Sequence, residues 1–274
     1  MCEHCGCAIT DSDPAPAGAP HTHTHTHEHP PAESVAVVRQ LLAQNDRLAA
    51  HNREHFDSYG VLAVNLMSSP GAGKTSLLES TIEALCARVR IAVIEGDLAT
   101  QNDARRIRAK GVPAVQITTG SACHLDARMV HEALHELALE GLDLLFIENV
   151  GNLVCPASFD LGEHLAVTLL SVPEGDDKPQ KYPVMFRAAD LMLLTNCDFL
   201  PLLPEFDPAR AQSSLRALGS AAPVIRLSSR TGEGLAAWCA WLNGHLTRRR
   251  QTTPHPGPAD DSLERTAELP RIAG

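Results

Sequence analysis

The chain has 274 residues, is 44% hydrophobic and carries a formal net charge of −10. That length and apolar content suit one domain of about 200 residues with tails, and the acidic balance argues against nucleic acid as the main partner. No run of about 18 apolar residues occurs, so no membrane span is expected. The start, Met1-Cys2-Glu3-His4-Cys5, lacks the basic and apolar regions of a secretory signal, which points to the cytoplasm.

Cys2, Cys5 and Cys7 open the chain, three of its 8 cysteines. Three thiols this close, with Gly6 to let the backbone fold round, suit a soft or borderline cation such as Ni²⁺, Zn²⁺ or Cu⁺. Residues 11–31 are low in complexity and too polar to pack. Within them His21, His23, His25, His27 and His29 stand at every second position. That spacing forms a flexible, low-affinity chelator, and imidazole discriminates little between Ni²⁺, Cu²⁺ and Zn²⁺. Residues 1–31 are therefore expected to be a disordered metal-binding tail.

Residues 34–59 read as a helix, with Val35, Val38, Leu41, Leu42, Asn45, Leu48 and Ala49 on one stripe and Ser34 as its N-cap. His51 and His55 sit four apart on a face read as solvated. Residues 61–67 form an apolar strand. Ser68-Ser69-Pro70-Gly71-Ala72-Gly73-Lys74-Thr75 follows, and then a helix carrying Leu77, Leu78, Ile82 and Leu85. Strand, glycine-rich bend and helix start make a phosphate-binding loop, although Ser68 stands where the usual pattern has glycine. The helix N-terminus favours an anion. Lys74 would reach the β- and γ-phosphates and the Thr75 hydroxyl would ligate Mg²⁺. Ser69, Gly71, Ala72, Gly73 and Ser76 complete the expected phosphate cradle.

A second buried strand, residues 90–96, leads into Asp97, a carboxylate at the strand end where α/β sheets bind nucleotides. Asp97 is a second Mg²⁺ candidate. A helix over 101–110 and a strand over 113–118 follow. Cys123 and His124 then stand side by side at a helix start. From spacing alone they read either as a buried thiol beside a capping imidazole or as half of a metal site completed by a two-fold dimer. His131-Glu132-Ala133-Leu134-His135 matches the zincin pattern. It lies on a crossover helix without a third ligand, and reads as surface charge.

The strand over 142–148 ends at Glu148, with Gly151 three residues on. This acid-x-x-Gly spacing resembles a nucleotide switch. The Gly151 amide would meet the γ-phosphate, and Glu148 would act on Mg²⁺ or on the attacking water. Cys155, four residues further, would feel the nucleotide state. After a strand over 166–172 comes a charged loop, 174–181, and a strand over 191–194 leads into Thr195-Asn196-Cys197-Asp198. Asp198 would accept from guanine N1–H and the exocyclic amine. The last strand, 224–227, leads into a loop whose Ser228 and Ser229 amides would meet guanine O6. A closing helix covers 235–246. Residues 247–274 are expected to be a disordered tail.

The phosphate loop, Glu95-Gly96-Asp97, Cys123-His124-Leu125-Asp126, the run 147–164 and the Cys2/Cys5/Cys7 cluster together resemble the HypB family, GTPases that help insert nickel into [NiFe]-hydrogenase. The run Glu148-Asn149-Val150-Gly151-Asn152-Leu153-Val154-Cys155-Pro156-Ala157 carries the resemblance most specifically. It implies a doubly wound, mostly parallel α/β G-domain over 61–246, preceded by a helix over 32–60, that forms a homodimer on binding GTP. It implies a tight nickel site at Cys2, Cys5 and Cys7, and a weaker Ni²⁺ or Zn²⁺ site at the dimer interface from Cys123 and His124, with Cys155 a further candidate. Expected partners are the hydrogenase large-subunit precursor and a second maturation chaperone, and Lys178 or Lys181 would reach the partner's nucleotide. Catalysis would rest on Lys74, Asp97 and Glu148, with slow hydrolysis because no arginine finger is evident. One departure stands out: Thr195 and Asn196 replace the Asn and Lys of the usual guanine motif, which predicts weaker guanine affinity with selectivity retained. The alternative reading is a nickel storage protein with weak nucleotide switching.

Overall fold

Short runs rich in Val, Ile and Leu, bounded by Gly, Pro and Asp, form seven strands: β1 (Leu62–Met67), β2 (Ile91–Asp97), β3 (Ala114–Thr118), β4 (Leu144–Glu148), β5 (Leu165–Ser171), β6 (Leu191–Thr195) and β7 (Val224–Arg226). In the computed structural model they make one sheet in the order β3-β2-β4-β1-β5-β6-β7, and every neighbouring pair is parallel. Parallel sheets are covered on both faces, so their strands read as continuous apolar runs. β1 and β4 are accordingly buried along their whole length. The doubly wound α/β architecture is the one expected from sequence. The structure describes residues 32–97, 102–120 and 122–252. Cys2, Cys5, Cys7, the histidines at 21–29 and the disorder expected of both tails lie outside the described residues, apart from the terminal segment treated below.

The helices are α1 (Ala32–Ser58), α2 (Lys74–Leu85), α3 (Asn102–Ala109), α4 (Ala127–Leu134), α5 (Lys178–Lys181), α6 (Pro183–Ala188), α7 (Pro208–Ala217) and α8 (Leu235–Thr252). Alternate residues of the central strands face opposite layers. Val64, Leu66, Val93 and Phe146 pack under α2, α3 and α8, through Leu78, Ile82, Ile107, Trp238 and Leu242. Ala63, Ala92, Ile94, Leu145 and Ile147 pack under α1 and α4, through Phe56, Val130 and Leu134. Beyond β5 and β6, Met185, Phe186, Ala211 and Leu215 of α6 and α7 close a third cluster. Among the described residues no helix is long and apolar enough to cross a membrane.

Polar side chains fix α1. The buried Asn45 donates to the Asp160 carbonyl at 2.8 Å and accepts from the Ala127 amide at 2.9 Å. The fully buried Asn52 donates to the Ala127 and Leu161 carbonyls at 2.8 and 3.1 Å. His164 accepts from the Ala63 amide at 2.9 Å through Nδ1, so its Nε2–H donates to Asp57 at 3.2 Å.

Three boundary expectations change. α1 begins at Ala32, so Ser34 lies inside the helix and does not cap it. The charged stretch at 174–181 contains the short helix α5, which starts at Lys178 and carries Pro179 in its first turn. α8 continues six residues beyond Leu246, so residues 247–252 are helical rather than part of a tail. Distant acids hold that extension, because Arg249 pairs with Asp57 at 2.7 Å and Arg250 with Asp143 at 2.8 Å. Sequence periodicity cannot register such pairings.

Candidate nucleotide and metal site

β1 delivers the chain into the phosphate loop at the C-terminal edge of the sheet, where open α/β folds bind ligands. Gly71 and Gly73 adopt φ of 76° and 93°, left-handed values that glycine takes without steric cost. Gly73 is the N-cap residue directly before α2. The bend closes on itself through Lys74, whose Nζ donates to Ser68 Oγ at 3.0 Å, while Ser68 Oγ donates to the Ser69 carbonyl at 2.6 Å. The serine at this position thus holds the lysine and stays fully buried. A cavity of about 400 Å³ opens over the loop, lined by Gly71, Gly73, Lys74, Thr75 and Ser76, and by Asp97, Glu148 and Gly151. These expected residues are brought together in one place.

The structure adds two residues that sequence reading passed over. Glu95 is the β2 register partner of Glu148 on β4, and both are buried. Burial first, then repulsion from Glu148, pushes the Glu95 carboxyl up to about 11. Glu148 is also raised, chiefly by burial, with the Lys74 charge opposing. Thr75 Oγ1 donates to Glu148 Oε1 at 2.9 Å, whereas Oε2 of Glu148 and Oε2 of Glu95 are buried without a hydrogen-bond partner. Two partnerless carboxylate oxygens beside a hydroxyl are a hard, all-oxygen donor set, which fits Mg²⁺. The second addition is Arg106, which lines the same cavity. It is held by Glu79 at 2.7 Å, Asp103 at 2.9 Å and Ser76 Oγ at 3.3 Å.

The loop after Glu148 touches the phosphate loop directly. The Asn152 amide donates to the Ser68 carbonyl at 2.8 Å. A Cβ on Gly151 would stand 2.8 Å from the Pro70 backbone, so only glycine fits. Asn149 Oδ1 accepts from its neighbour Val150 at 3.0 Å and from the Leu125 amide at 3.2 Å. Its amide nitrogen donates to Asn65 Oδ1 on β1 at 3.4 Å. One buried side chain therefore ties β1, the switch-like loop and the residue next to His124.

Cys123, His124 and Cys155 converge at the far end of these two loops. Their ligand atoms all lie within 4.8 Å of one another, the one such group among the described residues. Cys123 and Cys155 Sγ are 3.1 Å apart, Cys123 Sγ and His124 Nδ1 are 3.9 Å apart, and the His124 ring stacks on Phe159 at 4.0 Å. The Cys123 thiol beside Cys155 raises the latter, and burial lowers His124 toward its neutral, ligating form. Two thiols and an imidazole suit Ni²⁺ or Zn²⁺, and a closed four-ligand site needs one more donor.

The base-side residues form a second group. Thr195 Oγ1 donates to the Ala72 carbonyl at 2.8 Å, so the short hydroxyl ties this segment to the phosphate loop. Asn196 takes a left-handed φ of 56°, donates to Ser171 Oγ at 2.8 Å and lies against Gly73. Asp198 accepts from Ser228 Oγ at 2.6 Å and from Arg230 Nε at 2.9 Å, and these hydrogen bonds hold its carboxyl below the ordinary range despite burial. The part expected of Ser228 changes, because its amide donates to the Glu233 carbonyl at 2.9 Å and its hydroxyl serves Asp198. Ser229 follows in the same loop, its carbonyl accepting from Ser80 at 3.4 Å. Lys178 lies over the Tyr182 ring at 5.7 Å, and Lys181 pairs with Asp177 at 2.5 Å.

A parallel sheet with a glycine-rich loop, a buried lysine and acids at two neighbouring strand ends defines a P-loop nucleotide-binding protein. The family model described as the CobW/HypB/UreG nucleotide-binding domain matches residues 62–226. The hydrogenase maturation factor HypB of Azotobacter vinelandii is 58% identical over 207 residues, covering 75% of this chain and 68% of the relative. That of Escherichia coli K12 is 52% identical over 202 residues, covering 74% and 69%. The crystal structure of HypB from Helicobacter pylori in complex with nickel has 42% identity and a TM-score of 0.71, covering 77% of this chain and 97% of that one. The chain belongs to the HypB family of hydrogenase maturation factors.

Proposed function

We propose that the chain is a GTP-hydrolysing nickel metallochaperone that helps load the [NiFe]-hydrogenase precursor, working in the cytoplasm as a GTP-dependent homodimer beside a second maturation chaperone. The observation that carries this reading is the short covalent and hydrogen-bonded path from Glu148 through Asn149 and Gly151 to Cys155, with Asn149 also bonded to Leu125 beside His124. A γ-phosphate drawn to the Gly151 amide would shift the segment that carries Cys155, while Cys123 and His124 lie on another loop. The grip on the metal then depends on the nucleotide.

In this reading Lys74 and the amides of Ser69, Gly71, Ala72, Gly73 and Ser76 hold the phosphates. Thr75, Asp97 and Glu148, joined by Glu95, would hold Mg²⁺, which when bound neutralises charge on the phosphates. Glu148 orients the attacking water. Asp198 reads guanine, and the Ser229 loop closes on the base. Lys178 or Lys181 reaches across the dimer. Nickel or zinc is the cargo at Cys123, His124 and Cys155, with Cys2, Cys5 and Cys7 as the tight amino-terminal site. The histidines at 21–29 add a low-affinity store. The test is Ni²⁺ titration of the full chain and of a chain lacking residues 1–31, each with GDP and with a non-hydrolysable GTP analogue. The truncated chain should change its Ni²⁺ affinity between the two nucleotides, and identical affinities would overturn the coupling.

A further inference from the structure

Four histidines gather where α1 meets α4. His51 and His55 stand one turn apart near the end of α1, and His131 and His135 one turn apart on α4 and its C-terminal cap. Read along the sequence, the two pairs belong to separate solvated faces. In the fold their rings adjoin: the centroids are 4.7 Å apart for His51 and His55, 5.2 Å for His51 and His131, 6.0 Å for His55 and His131, and 5.0 Å for His131 and His135. A cation about 2.0–2.1 Å from each ring nitrogen sets such centroids about 4.5–6 Å apart, for bond angles from about 90° to about 140°.

The tautomer of His131 is settled by its neighbour. Asn52 uses both amide hydrogens on the Ala127 and Leu161 carbonyls. Its Oδ1 must therefore accept, and it faces His131 Nδ1 at 3.1 Å. His131 Nδ1 carries the proton and Nε2 keeps its lone pair. A second contact that orients a ligating imidazole in this way is the usual support of a metal site. Burial, and then the neighbouring His135, His51 and His55, hold His131 toward its neutral form, opposed by Glu132. Glu54 stands 4.0 Å from His51 and adds negative charge at the rim. None of the four lines the nucleotide cavity.

We propose that His51, His55 and His131, with His135 beside His131, form a further metal site of the folded domain, an all-imidazole site for a divalent late first-row cation such as Ni²⁺. The rings converge on the ion by turning about their side-chain torsions, and Asn52 anchors the one that is fixed. The site stands apart from the nucleotide and from Cys123, His124 and Cys155, so it does not depend on the switching reading above.

The experiment uses the full-length chain, with Ni²⁺ as the probe. Histidines are carbethoxylated with diethyl pyrocarbonate, with and without Ni²⁺, and each site is read by peptide mass mapping. A coordinated lone pair cannot react, so modification of His51, His55 and His131 should slow about tenfold when the site is filled. The protection should persist in the Cys123→Ser/Cys155→Ser chain. In the His55→Gln/His131→Gln chain, His51 should lose it. The His51→Gln/His135→Gln chain changes only exposed positions and keeps the fold, and there His55 and His131 should likewise lose protection. Equal modification with and without Ni²⁺, or protection that survives both double substitutions, would overturn the proposal.

Discussion

Asp198 shows how much one carboxylate depends on its surroundings. Its two oxygens are engaged by Ser228 and Arg230, and the guanidinium presents paired N–H groups of the kind a guanine edge presents. In the function proposed above, guanine would have to displace Arg230 or share the carboxylate with it. Asp198→Asn should lower GTP binding by about 1–3 kcal/mol and move preference toward xanthosine triphosphate, measured by competition with a fluorescent nucleotide; unchanged selectivity would remove Asp198 from the base site. Asp198 was legible from its place after an apolar strand. Ser228 was legible as a base-side residue, but its bond to Asp198 and the part of Arg230 were not, because that loop lies 30 residues on and only β6–β7 pairing brings it close. Glu95 was missed for a similar reason, since its partner is set by strand register and not by spacing. Its carboxyl is raised from 4.5 to about 11 in the folded chain. A raised carboxyl favours the fold below pH 4.5, and that contribution is lost as pH rises toward about 11. Binding Mg²⁺ with nucleotide at neutral pH should therefore expel a proton. Calorimetry in two buffers of different ionisation enthalpy will read it, and Glu95→Gln should reduce the release.

Among the elements, the loop from Glu148 to Cys155 is closely fitted to the phosphate loop. Gly151 lies against the Pro70 backbone with no room for a methyl group. Gly151→Ala should push the two loops apart and weaken nucleotide binding roughly tenfold or more, with little change in far-UV circular dichroism. Equal affinity would mean that the contact is incidental. α1 is held differently, by Asn45, Asn52 and the His164–Asp57 pair. Burial, with the Arg249 charge, lowers His164 from 6.5 to about 4, against the pull of Asp57. A depressed histidine supports the fold fully above pH 6.5, and that support is lost as pH falls from 6.5 through about 4. The melting temperature should drop across this window, and less steeply for His164→Gln. The helix itself was readable from its apolar stripe. Its buried asparagines looked like ordinary helix residues, because their partners at 127, 160 and 161 come from loops far along the chain.

Across the whole molecule, the parallel sheet and its flanking helices follow from apolar runs separated by glycines, and the strand order follows from where those runs can be covered. Sequence spacing could place Cys123 and His124 side by side, but not bring Cys155 to 3.1 Å from Cys123. That meeting needs the parallel order β3-β2-β4, which brings the loops that follow β3 and β4 to the same edge of the sheet. The same folding gathers two helices' histidines into one patch. Side chains able to ligate a metal are thus brought together by topology, from segments that are distant in sequence.

The pairing of Arg249 with Asp57 joins residues 192 positions apart. During synthesis the first helix emerges early, while the arginine that clasps its last turn is almost the final part of the described chain to leave the ribosome. Domains fold as units once enough chain is available, so this clasp on the last turn of α1 can close only after Arg249 has been made, well after the partners of Asn45 and Asn52.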